Sequence, residues 1–152
     1  MRVESIRLRL LLVAPLRLVL GIAWLGAARA VGGSSGPVFL AFAAGAFAIA
    51  FLVPNDPRAR FRRTAPEFAE LPPDATFAPA WLHVLHASLP STVGVATLAA
   101  VTLAFEPTLT ALLAGVLAGL GLTALFRAYG MDGGLYVDPR RGALFRKKAG
   151  AT

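Results

Sequence analysis

Residues 107–126, PTLTALLAGVLAGLGLTALF, decide the fold, because these twenty residues include no charged side chain. A helix of about 20 mostly apolar residues crosses the roughly 30 Å hydrocarbon core of a bilayer. Three further segments approach this length and apolarity, at residues 10–28, 37–53 and 85–105. The sequence therefore predicts an all-α polytopic membrane protein, with four transmembrane helices arranged as two antiparallel hairpins within residues 1–130.

The composition supports a membrane protein and excludes several other classes. Hydrophobic residues make up 57% of the 152 residues and charged residues 15%, whereas ordinary soluble domains contain about 25% charged residues. The mean hydropathy is +0.67, so a soluble globule would leave much apolar surface in water, and a disordered chain is also excluded. The chain has no cysteine, which excludes a disulfide scaffold, a thiolate metal site and a cysteine nucleophile.

The net charge of +7 is interpreted through the predicted spans. In a soluble protein it would suggest nucleic-acid binding, whereas in a membrane protein basic residues collect on the cytoplasmic side against anionic lipid. With the N-terminus inside, fourteen of the fifteen cations lie inside and only Arg29 lies outside. We therefore expect cytoplasmic termini, a cytoplasmic loop at residues 54–84 and no nucleic-acid partner. Abundant arginine, alanine, glycine and proline are typical of a GC-rich genome, which favours the plasma (inner) membrane of a bacterium.

Arg17 is the single charged residue within the predicted spans. An arginine at a helix centre costs about 2.5–3.5 kcal/mol, and the ten Leu, Ile and Val residues between positions 10 and 25 return roughly 3–6 kcal/mol. We therefore predict that the span inserts, and we treat Arg17 as a candidate functional residue. The alternative is a signal peptide with a cleavage site at Ala28-Arg29-Ala30, which would leave the downstream topology unchanged.

The cytoplasmic loop and the tail at residues 131–152 carry the other candidate contacts. The tail segment 138–142, Asp-Pro-Arg-Arg-Gly, lies between two short apolar runs and is typical of a β-turn, so we predict a small cytoplasmic β-hairpin. A lone hairpin is marginally stable, so it needs the inner loop, the bilayer or another subunit as a neighbour. The basic residues of both segments are expected to contact anionic head groups or a partner, with topology signalling as the alternative. They are Arg58, Arg60, Arg62, Arg63, Arg140, Arg141, Arg146, Lys147 and Lys148.

Small residues at steps of four predict how the helices pack, because close backbone approach drives helix association in lipid. We expect a stripe on the third span to face a stripe on the fourth, with self-association through Gly115-x-x-x-Gly119 as the alternative. The stripes are Thr92, Ala96, Ala100 and Ala104 on the third span, and Ala111, Gly115 and Gly119 on the fourth. The second and fourth spans also share a faint pattern 70 residues apart, which we interpret as a coincidence of small residues rather than a duplication.

His83 and His86, the two histidines of the chain, lie three residues apart and so share one face of a helix. A metal site needs further ligands that the sequence does not supply. We therefore interpret them as interfacial residues, with a metal, a haem, a quinone or a partner as weaker alternatives. The sequence has no phosphate-binding loop, nucleophile elbow or HExxH motif, so we predict no cofactor, no metal and no catalytic residue.

These observations leave three functional hypotheses. The favoured one is a non-catalytic accessory or structural subunit, or an assembly factor, of a larger membrane complex with other membrane subunits as partners. The second is a small homo-oligomeric channel or carrier, in which Arg17 would favour anions. Its pore would be lined by the hydroxyl side chains of Ser91, Thr92, Thr97, Thr102 and Thr110. The third is an enzyme that acts on lipid at the inner face through His83, His86 or residues 132–138.

Overall fold

A computed structural model describes residues 1–32, 35–53, 69–84, 88–131 and 133–147, apart from the side chains of Ala80 and His83. Within these residues the chain is mostly helical and carries a small sheet. The helices are α1 (Ile6–Gly32), α2 (Ser35–Leu52), α3 (Ala80–His83), α4 (Leu89–Leu103) and α5 (Pro107–Tyr129). The strands are β1 (Arg2–Ser5), β2 (Ala69–Glu70), β3 (Thr76–Phe77), β4 (Leu135–Asp138) and β5 (Ala143–Arg146).

Three helices, α1, α2 and α5, are long and apolar enough to cross a membrane, with 27, 18 and 23 residues. They overlap the first, second and fourth predicted spans. The third predicted span, residues 85–105, is longer than the helix found there, because α4 has only 15 residues. Pro90 lies in the first turn of α4, where a proline ring fits and its missing N–H has no partner to lose. Residues 85–87 lie outside the described residues.

The bundle is built around α5, which contacts α1, α2 and α4. Gly21 of α1 lies against Ala114, and Gly121 of α5 lies against Ala14 and Leu18. The later residue of α1, Gly21, thus contacts the earlier part of α5, and Ala14 of α1 contacts the later part. α1 and α5 therefore run antiparallel. A Cβ atom at either glycine would meet a backbone carbonyl of the facing helix, so glycine permits the close approach that packing in lipid requires.

The contact between α2 and α5 differs from the sequence prediction for Gly115 and Gly119. These glycines lie against Phe42 and Ala46 of α2, and Gly45 of α2 lies against the backbone of α5. The expectation that the glycine stripe faces the third span is therefore wrong. Residue numbers rise together along α2 and α5, so these helices run parallel. Their register is close to 70 residues, the spacing of the faint sequence pattern.

The predicted stripe on the third span also fails to form a continuous contact. Thr92 is buried, whereas Ala96 is half-buried and Ala100 and Ala104 are exposed. At about 3.6 residues per turn, each step of four rotates around the helix by an extra 40° or so, and the stripe leaves the packed face. The buried residue Ala99 instead follows Thr92 by seven, a spacing that remains on the same face.

Hydroxyl groups join α4 to α5 near their connecting turn. The Thr110 hydroxyl lies 3.0 Å from the Thr102 hydroxyl and 3.3 Å from the carbonyl oxygen of Ala99. Thr110 has no exposed surface, so these bonds satisfy a polar group inside the bundle. At the turn itself, the Glu106 side chain accepts a hydrogen bond from the backbone N–H of Thr108 and caps α5.

The predicted β-hairpin is confirmed, because β4 and β5 pair antiparallel. The turn is closed by a 2.8 Å hydrogen bond from the Gly142 N–H to the Asp138 carbonyl oxygen. Gly142 has a φ of 62°, a left-handed conformation that glycine adopts without the usual steric cost. The Asp138 carboxylate accepts a 3.0 Å hydrogen bond from the Arg140 N–H, as turn-initiating aspartates do.

Three further strands extend the hairpin into a five-stranded sheet of order β2-β5-β4-β1-β3. β1 pairs antiparallel with β4, whereas β2 pairs parallel with β5 and β3 pairs parallel with β1. The neighbours of the hairpin are therefore the N-terminal segment and the segment between α2 and α3. Beneath the sheet, Ile6, Met131, Leu135, Val137 and Leu144 form a buried apolar cluster. This cluster joins the sheet to the start of α1 and the end of α5.

Candidate functional site

The described basic residues of the tail lie on or beside the hairpin. Arg140 and Arg141 are exposed on its turn, Arg146 ends β5, and Lys147 follows it. The backbone of His83 ends α3. The remaining predicted site residues lie outside the described residues. They are Arg58, Arg60, Arg62, Arg63, His86 and Lys148.

A cleft of about 610 Å³ opens at the turn end of the sheet. Its charged lining combines three guanidinium groups with two carboxylates, contributed by β1, the segment between α2 and α3, and the hairpin. They are Arg2, Arg140, Arg141, Asp74 and Asp138. Groups of both signs side by side suit a polar protein surface or a zwitterionic ligand better than a simple anion. The sequence indicates Arg140 and Arg141 but not the cleft, because it does not show that β1 and the segment between α2 and α3 lie beside them.

Hydrogen bonds from Thr76 hold one wall of this cleft. Its hydroxyl and its backbone N–H both donate to the Met1 carbonyl oxygen, at 2.6 Å and 2.7 Å. Next to it, the Phe77 ring packs edge-on against the Tyr136 ring with centroids 5.3 Å apart. Edge-to-face aromatic pairs stabilise by about 0.5–1.5 kcal/mol beyond their buried area. The loop strand β3 is therefore fixed both to the N-terminal residue and to the hairpin.

A second polar cluster lies between α1 and α4, at Arg17. The Nε of Arg17 donates to the Thr92 hydroxyl at 2.9 Å, and Nη2 donates to the Ser91 hydroxyl at 3.1 Å. Both hydroxyls donate in turn to the Ser88 carbonyl oxygen, at 3.1 Å from Ser91 and 2.8 Å from Thr92. Arg17 therefore links the middle of α1 to the first turn of α4.

The helices expose many large apolar side chains on the outer surface of the bundle. Val19, Leu40, Phe47, Phe51 and Phe126 are each between 65% and 86% exposed. An apolar surface of this extent is costly in water and suits acyl chains or another membrane protein. At one end of this surface, the Arg29 guanidinium stacks over the Phe39 ring at 5.8 Å in a cation–π contact.

Among the described residues, no three His, Asp or Glu side chains are grouped so that they could hold a metal ion. The candidate functional regions of the described residues are therefore the sheet cleft and the Arg17 cluster. Comparison of the chain with protein-family models, with curated proteins and with solved structures finds no match.

Proposed function

We propose that the chain is a four-span protein of the bacterial plasma membrane with its termini and inner loop in the cytoplasm. The support is the sheet, because its strands come from the N-terminal segment, the inner loop and the tail. Segments that share one sheet lie on one side of a membrane, so each must be separated from the next by an even number of crossings. α1 and α2 supply two crossings, and α5 needs α4 as its return.

We further propose that the protein is a non-catalytic accessory subunit or assembly factor of a larger membrane complex. The observation that carries this proposal is the same sheet, which gathers the cytoplasmic segments into one folded platform at the membrane surface. Its cleft presents Arg2, Arg140 and Arg141 beside Asp74 and Asp138. A mixed-charge surface of this kind fixes the orientation of a partner protein through complementary charge.

A homo-oligomeric channel or carrier is the second candidate, and one observation favours it. The Arg17 cluster places a cation and two hydroxyls side by side between α1 and α4, and an anion path needs groups of this kind. Against a pore within one chain stands α5, which occupies the bundle axis in backbone contact with α1 and α2. A conducting path would therefore have to form between copies.

Topology is tested by cysteine labelling, because the chain has no cysteine of its own. Gly36→Cys and Arg141→Cys place one thiol at the start of α2 and one on the hairpin turn. No described atom lies within 4 Å of the Cβ position at Gly36, and Arg141 is exposed, so both changes fit. In intact cells, a membrane-impermeant maleimide should label only Gly36→Cys, and labelling of Arg141→Cys would contradict the topology.

The accessory role is tested by extracting the protein in a mild detergent and measuring the mass and composition of the particle. We expect a large particle with foreign chains in fixed stoichiometry. Arg140→Gln combined with Arg141→Gln should release those chains, whereas Arg29→Gln, which removes a cation at the other end of the bundle, should retain them. A small particle that contains this chain alone would overturn the accessory role and favour the channel.

A further inference from the structure

The depth of Arg17 below the membrane boundary follows from residue intervals on two helices. Arg9 and Arg29 lie twenty residues apart on α1, and Pro107 and Arg127 lie twenty residues apart on α5. At a rise of about 1.5 Å per residue, each interval equals the roughly 30 Å hydrocarbon core. Arg17 lies eight residues from Arg9, so its Cα lies about 12 Å inside the inner boundary.

The contacts between the two helices show that these intervals coincide. Gly21 of α1 lies against Ala114 and Ala118 of α5, and Gly121 of α5 lies against Ala14 and Leu18. In this antiparallel register Arg9 is level with the Arg127 end of α5, and Arg29 is level with the Pro107 end. The membrane boundaries assigned from α1 therefore lie at the same level as those assigned from α5.

The Cα–Cβ bond of Arg17 is directed toward the inner boundary, and its guanidinium contacts α4. The Cα–Cβ bonds of a helix tilt toward its N-terminus, and the N-terminus of α1 lies at the inner end. The guanidinium is held there by Thr92 and Ser91, which belong to the first turn of α4. Arg17 is half-buried and Ser91 is exposed, so the guanidinium lies at the surface of the bundle rather than in its core.

The positive charge of Arg17 has no carboxylate partner among the described residues. Its two described hydrogen bonds go to neutral hydroxyls, and a guanidinium has five N–H donors. None of the eight acidic residues of the chain lies within the described spans of α1, α2, α4 or α5. A charge within the hydrocarbon region is costly unless an opposite charge compensates it. Since no carboxylate of the described residues compensates this charge, an anionic group of the surrounding membrane can supply the counter-charge.

We propose that Arg17 binds the phosphate group of an anionic phospholipid of the inner leaflet, with Ser91 and Thr92 as positioning residues. The hydroxyls occupy Nε and one N–H of Nη2, and the described residues leave N–H donors on both terminal nitrogens without a partner. Paired terminal N–H groups bind a phosphate through two hydrogen bonds. Beside them, Leu16 and Val93 are exposed and offer apolar surface to the acyl chains.

The orientation of this site rests on the four-span topology and not on the accessory role. Cysteine labelling tests the topology by itself, so failure of the topology and failure of the lipid site are distinguishable. Phosphate bound at Arg17 has two sources, a lipid head group or a soluble anion. A soluble phosphate would have to reach the guanidinium through apolar side chains and lipid, so the geometry favours the head group.

The test measures lipid bound to the full-length protein in nanodiscs of mixed phosphatidylglycerol and phosphatidylcholine, by native mass spectrometry. Wild type should retain phosphatidylglycerol, and Arg17→Gln should reduce that preference about tenfold, the size expected for a lost charge-assisted hydrogen-bonded pair. Arg29→Gln removes one cation from the same helix and should leave the preference unchanged. An unchanged preference in Arg17→Gln would overturn the proposal.

Further variants separate the binding role of Arg17 from the positioning role of Thr92, and a competition experiment identifies the source of the phosphate. Arg17→Lys keeps the charge but loses the paired donors, so it should retain part of the preference; Thr92→Val should weaken it less than Arg17→Gln while the charge remains. An effect of Thr92→Val equal to that of Arg17→Gln would overturn the positioning role. Release of the lipid by millimolar inorganic phosphate, added without lipid competitors, would assign the site to a soluble anion and overturn the lipid proposal.

Discussion

Helices α2 and α5 lie side by side in parallel, about 70 residues apart in register, and are almost equally apolar, yet they occupy different places in the bundle. In the most apolar 18-residue stretch of each helix, 11% of the residues are buried in α2 and 56% are buried in α5. Composition therefore predicts that each helix enters a membrane but does not distinguish the central helix from the peripheral one. The number of faces in contact makes that distinction, because α5 packs against three helices.

Small residues explain how α5 sustains contacts on several faces. Gly115 and Gly119 approach α2, whereas Gly121 approaches α1. Thr110 meets α4. In α2, Gly45 is the glycine in close contact, and it faces α5. A helix with small residues on several faces can occupy the axis of a bundle, while a helix with one such face packs at its edge.

The largest expected effect is at the shared face of these two helices. Gly115→Leu places a side chain where the carbonyl oxygen of Phe42 lies, so α2 must move away from α5. Overpacking typically costs about 1–3 kcal/mol, and a clash with backbone belongs at or above the upper end. We expect the free energy of unfolding in mixed micelles to fall by about 3 kcal/mol or more.

Gly94→Leu is the matched control, because no described atom of another segment lies within 4 Å of the Cβ position at Gly94. This variant should unfold with the free energy of the wild type to within about 0.5 kcal/mol. Equal losses in the two leucine variants would show that the α2–α5 contact is not the close approach described.

A smaller difference is expected between Leu117 on α5 and Phe47 on α2, which are equivalent in the 70-residue register. Leu117 is fully buried, whereas Phe47 is 65% exposed. Leu117→Ala leaves a cavity and should cost about 2 kcal/mol, at the low end of core truncations because lipid is as apolar as leucine. Phe47→Ala should cost less than about 0.5 kcal/mol. Similar losses in both variants, measured by the same unfolding experiment, would remove the distinction between central and peripheral helix.

The smallest effect is expected at Thr110, whose counterpart on α2 is the exposed Leu40. Thr110→Val keeps the shape but removes the hydroxyl between Thr102 and Ala99, and hydrogen bonds between membrane helices contribute about 0.6 kcal/mol on average. A double-mutant cycle with Thr102→Val measures the shared bond. Purely additive losses would show that the two hydroxyls do not interact, despite the 3.0 Å distance between them.

Features encoded by neighbouring residues could be predicted from the sequence. Long uncharged runs indicated α2 and α5, and the Asp-Pro-x-x-Gly turn indicated the hairpin of β4 and β5. The shortening of α4 is encoded by Pro90, because proline favours the first turn of a helix and so indicates that the third span begins near Ser88. In each case the signal lies within a few residues of the element that it specifies.

Features set by distant contacts could not be predicted in the same way. β2 and β3 have two residues each, too few for an alternating pattern, and β1 reads as a basic N-terminal segment. The partner of Gly115 was misassigned because any helix with a small face satisfies the same packing rule in lipid. Arg17 was recognised as a candidate, and the channel hypothesis grouped it with Ser91 and Thr92. Their hydrogen bonds could not be predicted, because they join residues that lie 74 and 75 positions apart in the sequence.

The pairing of β1 with β4 has a consequence for the order of events during synthesis. Glu4 and Ser5 emerge from the ribosome early, but their partners Val137 and Tyr136 emerge only after every helix has been made. Until then β1 carries an unpaired edge of N–H and C=O groups. A chain that stops before β4 therefore exposes this edge. A complete sheet forms only in a chain whose described helices have all been synthesised.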